Sequence, residues 1–383
     1  LQCSAKGDLA VNRISIQNIT LSRFRNYGSL RLEVASKPVV LVGPNGAGKT
    51  NLLEAISLLT PGRGLRRAAL ADLDNAPGDA PWAVAADVNG MRGEASIGTG
   101  RDGQSGAETD KRIVKIDGKA ARGQAELAKV FAALWLTPQM DNLFLEGGTA
   151  RRKFLDRLVY SFDADHASRI NAYEFAMRER NRLLSEGRRD EAWLGALEQK
   201  MAEQGVAIAV ARAHGVEGLN QAVQLSKHSF PQAHMALSGV VEEALQEGSA
   251  LVAEEKFRES LAASRAADAG AGRTLVGVHR AVVDVVHMEK NMPAERCSTG
   301  EQKALLVSII LAQARAGAAW HGSVPVLLLD EVAAHLDGIR RAELYAELAS
   351  IGAQAWLTGT DNDIFEGFDG LRFTVKNGAV MQS

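Results

Sequence analysis

The 383-residue chain is poor in cysteine, with Cys3 and Cys297 its only two. Thiols so far apart make no disulfide framework and give no zinc-binding spacing, a usage that fits a reducing cytosol. An excess of one charge is also lacking. The formal net charge is −2, so an acidic polymer would have to be met by a local basic patch set against acidic surface elsewhere. Long apolar runs are missing. Residues 1–12 lack the continuous core of a signal peptide, and the most hydrophobic later stretch, 305–314, is broken by Gln313 and Arg315 and is too short to span a bilayer. A soluble, cytoplasmic protein without a membrane partner is therefore expected. No sustained heptad repeat appears, which excludes a long coiled-coil arm. What remains, 46% hydrophobic and 23% charged, is ordinary globular composition, long enough for two or more lobes.

The stretch that organises the chain is Gly43-Pro44-Asn45-Gly46-Ala47-Gly48-Lys49-Thr50. An apolar, β-branched run (38–42) precedes it, and residues 51–56 follow with apolar positions at helical spacing. Strand, glycine-rich loop and helix in that order make a phosphate cradle. The glycines let backbone N–H groups turn toward phosphate oxygens, and the helix N-terminus adds its positive dipole end. Lys49 is placed to reach the β- and γ-phosphates, and the Thr50 hydroxyl to ligate Mg²⁺.

Around the cradle, residues 13–34 read as strands with a turn. At that turn stands Phe24-Arg25-Asn26-Tyr27, where Arg25 and Tyr27 either bracket an adenine or form a polar hairpin tip. Residues 82–88 and 112–116 read as antiparallel β segments separated by a polar, Gly-rich loop over 98–110. The pattern turns helical from about 139 to 270, with long periodic segments at 166–184 and 191–223. β character returns at 273–280 and 282–287.

Val324-Pro325-Val326-Leu327-Leu328-Leu329-Asp330-Glu331 is an apolar strand ending in two acids. The C-terminal end of a buried parallel strand is where a Mg²⁺-holding carboxylate belongs. Asp330 takes that role, and Glu331 that of the base that orients or deprotonates the attacking water. Upstream, Ser298-Thr299-Gly300-Glu301-Gln302 opens another helix. Taken alone it reads as a capping box, with Ser298 capping and Glu301 at the third helical position; as a helix start it is also a second anion-binding terminus.

Cradle, Ser-x-Gly-x-Gln, strand-Asp-Glu and then Ala334-His335-Leu336-Asp337 follow in an order that resembles the head of ABC-type ATPases. The resemblance sharpens to the RecF family of bacterial recombination mediators on Phe24-Arg25-Asn26-Tyr27, Gly147-Gly148-Thr149-Ala150-Arg151-Arg152-Lys153-Phe154-Leu155-Asp156 and Gly277-Val278-His279-Arg280, with the cradle, 298–302 and 327–331. It implies an α/β fold, an ABC-type P-loop ATPase head (mixed sheet plus antiparallel β subdomain) over 1–138 and 271–383, with an inserted α-helical lobe over 139–270. It further implies ATP and Mg²⁺ as cofactors. Arg25, Ser298, Gly300, Gln302 and Asp337 would join residues 43–50 around the nucleotide. Gln139, after Pro138, lies where this class places a metal-sensing glutamine, or is a plain loop residue. The switch near the γ-phosphate falls on Thr358 or Thr360.

By the same resemblance the Ser-Gly helix of one subunit closes over nucleotide on the cradle of another. The implied protein is a slow, DNA-stimulated ATPase that pairs around ATP on double-stranded DNA near single-strand gaps. It works with RecR and RecO to help load RecA. Where the family has Gly-Pro-His-Arg followed by paired acids, this chain has Gly277-Val278-His279-Arg280-Ala281-Val282, which puts any role of those acids in doubt. Basic clusters at Arg151, Arg152 and Lys153, at Arg178, Arg180 and Arg182, and at Arg188 and Arg189 suit phosphate contacts. The alternative is a solvated helix face balanced by Glu174, Glu179 and Glu186. An ATP-binding subunit of a membrane transporter would use the same core, but would need neither a helical lobe of this size nor its Arg-Arg-Lys opening.

Overall fold

The computed structural model describes residues 12–76, 80–102, 111–187, 190–225 and 230–383. The chain divides into two compact units, one built from the sequence before Asp141 and after Ser308, the other from Asp141–Leu225 and Pro231–Ser308.

The first unit holds two six-stranded sheets. One runs in the order Ala379–Gln382, Leu371–Lys376, Val39–Val42, Ala355–Gly359, Val326–Leu329, Ala133–Leu136. Its neighbours are parallel except at the Ala379–Gln382 edge. Val39–Val42, Val326–Leu329 and Ala133–Leu136 are buried at every position, as strands covered on both faces must be. The other sheet is antiparallel throughout, in the order Tyr27–Glu33, Ser15–Phe24, Ala83–Gly90, Gly93–Arg101, Arg112–Ile116, Lys119–Ala120. One continuous core joins them, from Ile14 and Leu21 through Leu52 and Trp82 to Trp356 and Phe373.

The loop expected over 98–110 starts later than the glycines suggested. Gly98 to Arg101 continue the Gly93–Arg101 strand, because Ile97 and Thr99 alternate inward and the backbone pairs on both sides. Residues 103–110 lie outside the described residues.

In the second unit the helices are Gly148–Tyr160, His166–Ser185, Glu191–Gln224, Val240–Glu247 and Ala250–Ala271. The helical expectation for 139–270 missed one strand, Ala233–Ser238, which pairs antiparallel with Val282–His287. Conversely, residues 273–280 form no strand. Gly277 turns there with φ of 130°, and a Cβ on it would meet the Tyr173 hydroxyl at 2.4 Å, so the chain passes close to the helices and ends in a 3-10 turn at Val278–Arg280.

Buried charge organises this unit. Arg180 is fully buried, bonding Glu198 at 3.0 Å, Asp268 at 2.7 Å and Thr274 at 3.0 Å. It is therefore a structural ion-pair centre, which corrects its assignment to a DNA-contacting surface. The reason is helical geometry: positions two apart lie about 200° apart around the axis, so Arg178 and Arg182 share a face that Arg180 leaves. Asp156, the acid of the Arg-Arg-x-Phe-Leu-Asp stretch, is held bidentately by Arg212 at 2.8 and 3.0 Å and by His166 at 2.9 Å. Tyr173 bonds His279 Nδ1 at 2.8 Å, and the other His279 ring nitrogen meets the Thr274 carbonyl at 3.0 Å. The motif residues Asp156 and His279 thus sit in the packing of this unit.

Candidate nucleotide site

Residues 43–48 connect the strand Val39–Val42 to the helix Lys49–Ser57, with Pro44, Asn45 and Gly46 exposed. Gly48 has φ of 120°, and a Cβ there would lie 2.5 Å from Asn26 Nδ2. The crowding has a purpose. Asn26 Nδ2 donates to the Ala47 carbonyl at 2.9 Å, the Tyr27 hydroxyl donates to the Gly48 carbonyl at 3.0 Å, and Asn51 Nδ2 donates to Asn26 Oδ1 at 2.8 Å. The hairpin tip at 24–27 is thus a brace under the cradle. Its carbonyls are engaged from below, a role sequence reasoning missed because it depends on contacts some twenty residues apart.

Arg25 is committed elsewhere. Its guanidinium clasps Glu54 through two 2.9 Å bonds, and Arg66 bonds the same carboxylate at 3.1 Å while donating to Asn51 Oδ1 at 2.6 Å. Two cations therefore flank the cradle helix on one buried acid.

Lys49 is 4% exposed, and its ammonium donates to the carbonyls of Gly43 at 2.5 Å and Pro44 at 3.0 Å. Burial pushes its pKa down, while the charges of Glu331 and Asp330 pull it back up. Thr50 Oγ1 donates to Asp330 Oδ1 at 3.0 Å, and Thr358 Oγ1 donates to the same oxygen at 2.7 Å. Burial raises the Asp330 pKa, the two hydroxyl bonds lower it in part, and Glu331 raises it again. Glu331 is partly exposed, at a left-handed φ of 56°, and its N–H donates to Thr358 Oγ1 at 2.9 Å. Thr360 is exposed and bonds Asp361.

This donor set suits Mg²⁺. The Thr50 hydroxyl and the Asp330 carboxylate are hard oxygens within hydrogen-bond distance of each other, and Mg²⁺ is usually completed by water and substrate phosphates rather than by an all-protein cage. Among the described residues no group of three or more His, Cys, Asp or Glu side chains could hold a metal by themselves. Gln139 is exposed in the turn Pro138–Asn142, just beyond the strand whose Leu136 carbonyl accepts the Asp330 N–H. Asp337 caps the helix Gly338–Ile351 by accepting from Arg340 N at 2.9 Å.

In the second unit, Ser298 and Glu301 form the capping box: Ser298 N donates to Glu301 Oε2 at 2.8 Å, and Glu301 N to Ser298 Oγ at 3.4 Å. Bonds from Lys290 and Ser298 hold the Glu301 carboxyl down at about 2. Ser298 and Gly300 are exposed at the start of the helix Thr299–His321. Gln302 is buried instead, donating to the Cys297 carbonyl at 2.9 Å. It faces the protein and shapes the turn before the helix.

Of the basic residues, Lys153 is exposed and Arg151 reaches Glu295 at 3.7 Å. Arg152 donates to the Ala281 carbonyl at 2.8 Å. Burial lowers the Arg152 pKa, and the neighbouring charges of Arg212, Arg280 and Arg151 lower it further against the opposing Asp156. Positive charge is therefore concentrated at this end of the unit. Arg188 and Arg189 lie outside the described residues. No helix among the described residues is long and apolar enough to cross a membrane.

The chain is similar to known proteins over nearly its whole length. The model of the RecF/RecN/SMC N-terminal domain family matches residues 15–379. The DNA replication and repair protein RecF of Mesorhizobium japonicum is 49% identical over 372 residues, covering 95% of this chain and 97% of that protein. The RecF protein of Rhizobium leguminosarum bv. trifolii is 45% identical, covering 97% of this chain and all of the relative. A solved structure of the recombination mediator protein RecF with ATP, in the RecFOR pathway, superposes with a TM-score of 0.84 at 25% identity over 99% of this chain and all of that one. The Smc head domain of Pyrococcus furiosus shares the fold at a TM-score of 0.54 and 15% identity, over 97% of this chain and 96% of that one.

Proposed function

The chain belongs to the RecF family, and on that premise we propose that it is an ATP-driven clamp for DNA repair and replication restart. ATP binds on residues 43–50, with Mg²⁺ held by Thr50 and Asp330 and monitored by Gln139. Lys49 neutralises the β- and γ-phosphates, exchanging two backbone carbonyls for phosphate oxygens. Glu331 orients the attacking water and takes its proton. Asp337 completes the surroundings of the nucleotide, while Arg25 bears on it only through Glu54 of the cradle helix.

Two copies pair head to tail, Ser298 and Gly300 of each closing on nucleotide held by the other, while Gln302 shapes that helix start. If each ATP favours the closed pair by about 3 kcal/mol, two contribute roughly 6, a shift on the order of 10⁴ in the dimer equilibrium. Slow, DNA-stimulated hydrolysis releases the pair. Arg151, Arg152 and Lys153 meet duplex phosphates beside single-strand gaps, and in the cytoplasm the clamp works with RecR and RecO to help load RecA. The observation that carries this reading is the convergence of Lys49, Thr50, Asp330 and Glu331 at one end of the parallel sheet.

The test combines binding titrations on duplex, single-stranded and gapped DNA, with and without ATP, and light scattering of the Glu331→Gln variant. ATP should give a dimer that binds gapped duplex and weakens steeply with salt. A monomer with bound ATP, or a flat salt response, would overturn the clamp.

A further inference from the structure

Thr358 is a polar residue in a strand that is otherwise committed to the core. Ala355, Trp356, Leu357 and Thr358 are all buried, and Thr358 has no exposed surface. A hydroxyl in such a place costs free energy unless it is bonded, and this one is bonded twice. Parallel pairing of Leu328 with Trp356 and Leu329 with Leu357 brings the next position on one strand, Asp330, beside the next on the other, Thr358. The single hydroxyl hydrogen goes to Asp330 Oδ1 at 2.7 Å, and a lone pair accepts the Glu331 N–H at 2.9 Å.

The second bond matters because of what Glu331 does there. It is a non-glycine residue at φ of 56°, a strained conformation that persists where its surroundings fix it. A Glu331 relaxed to ordinary backbone angles would send its side chain off in another direction. The one hydroxyl hydrogen of Thr358 is committed to Asp330, so its donor is not free for a phosphate.

We propose that Thr358 is a positioning residue for ATP hydrolysis, whose hydroxyl locks the Asp330 carboxylate and the Glu331 backbone into one arrangement and so aims Glu331 at the attacking water. Thr50 donates to the same Asp330 oxygen and is the donor that metal binding redirects, whereas Thr358 stays in place. The inference rests on Glu331 acting as base, as proposed above. It adds a residue whose contribution is geometric and which touches neither nucleotide nor water.

Four full-length variants test it: Thr358→Val, which keeps the shape and loses both bonds; Thr358→Ser, which keeps both; Glu331→Gln; and Glu331→Gln with Thr358→Val. Thr358→Val should lower kcat for ATP about 10- to 100-fold, the usual loss when a partner that orients a metal-site ligand is removed, with ATP affinity changed less than about threefold. Thr358→Ser should stay within about threefold of the parent in both. Adding Thr358→Val to Glu331→Gln should cost nothing more. Without nucleotide, hydrogen exchange at the Glu331 amide should quicken in Thr358→Val and not in Thr358→Ser.

Thr358→Val turnover equal to the parent would overturn the proposal. So would equal losses of affinity and turnover that serine fails to rescue, or losses that multiply in the double variant. A parent protein that binds ATP and never hydrolyses it would instead remove the assignment of Glu331 as base; the amide exchange then decides whether the hydroxyl holds this turn, and unchanged exchange would overturn that too.

Discussion

Arg180 in the second unit and Lys49 in the first are both cations with almost no exposed surface, 0% and 4%, yet they are surrounded in opposite ways. Arg180 meets the carboxylates of Glu198 and Asp268, whereas Lys49 is seated on neutral carbonyls with its acids acting at longer range. The aspartates repeat the contrast. Burial drives the Asp156 pKa upward, but the charge and bonds of Arg212 and the bond from His166 outweigh it and leave the group low. Asp330 is also buried, receives two neutral hydroxyls, and stays high. Opposite charge closes the Arg180 and Asp156 sites, whereas at Lys49 and Asp330 neutral dipoles leave charge for a ligand to meet; neutral partners alone do not mark a ligand site, since Arg112 is buried against the carbonyls of Gly62 and Leu58 and the Thr99 hydroxyl as part of the scaffold.

The sharpest break in that comparison is removal of Arg180. Arg180→Ala leaves Glu198 and Asp268 buried with one partner fewer, which should cost about 3–5 kcal/mol, read as a lower urea midpoint. An unchanged midpoint would mean that the second unit does not depend on its buried charges. Next in size is Lys49→Met. Loss of the ammonium should weaken ATP by on the order of 100-fold, about 3 kcal/mol, without lowering the thermal midpoint. A variant that lost stability instead would place Lys49 in the scaffold class with Arg180.

The same division explains what could be read from the sequence. The cradle, the Asp330–Glu331 strand end and the helices at 166–185 and 191–224 were legible because each is written in consecutive residues or in one periodicity. The strand Ala233–Ser238 was not, since its partner Val282–His287 follows some fifty residues later and local pattern cannot supply the pairing. Arg180 was misread for a related reason: a run of arginines two apart suggests a patch, but the helix turns every second one to another face. Asn26, Tyr27 and Thr358 were marked by their place in a motif, but what each bonds was not legible, because a neutral side chain becomes part of the site only through the backbone or carboxylate that folding brings to it.

A smaller effect should appear on the basic end of the second unit. Each phosphate contact contributes about 0.9 to the slope of log affinity against log salt on duplex DNA. Replacing Arg151 and Lys153 together by Ala should therefore reduce the slope by up to about 2, with little change in the urea midpoint, since one reaches Glu295 at 3.7 Å and the other is exposed. An unchanged slope would remove these residues from the DNA surface and leave them as the solvated face of their helix.

The smallest and most discriminating effect is expected at Asp330. Its folded pKa lies above the ordinary value, so the folded state holds the proton more tightly than the unfolded chain does. The sign follows from linkage: the penalty is full above the raised folded pKa and is relieved as pH falls from there to the unfolded value of about 4. Asp156, with its pKa lowered, behaves in reverse, stabilising above about pH 4 and losing that contribution as pH falls further. Asp330→Asn removes the penalty while its amide oxygen can still accept from Thr50 and Thr358. Without nucleotide at neutral pH it should raise the thermal midpoint by on the order of 1–2 °C, while Mg²⁺-dependent turnover is lost. Asp156→Asn should lower the midpoint, because Arg212 is then buried against a neutral partner. Two isosteric substitutions of buried aspartates with opposite signs would establish the division between completed and waiting charge. A loss of stability at both would show that Asp330 is scaffold as well.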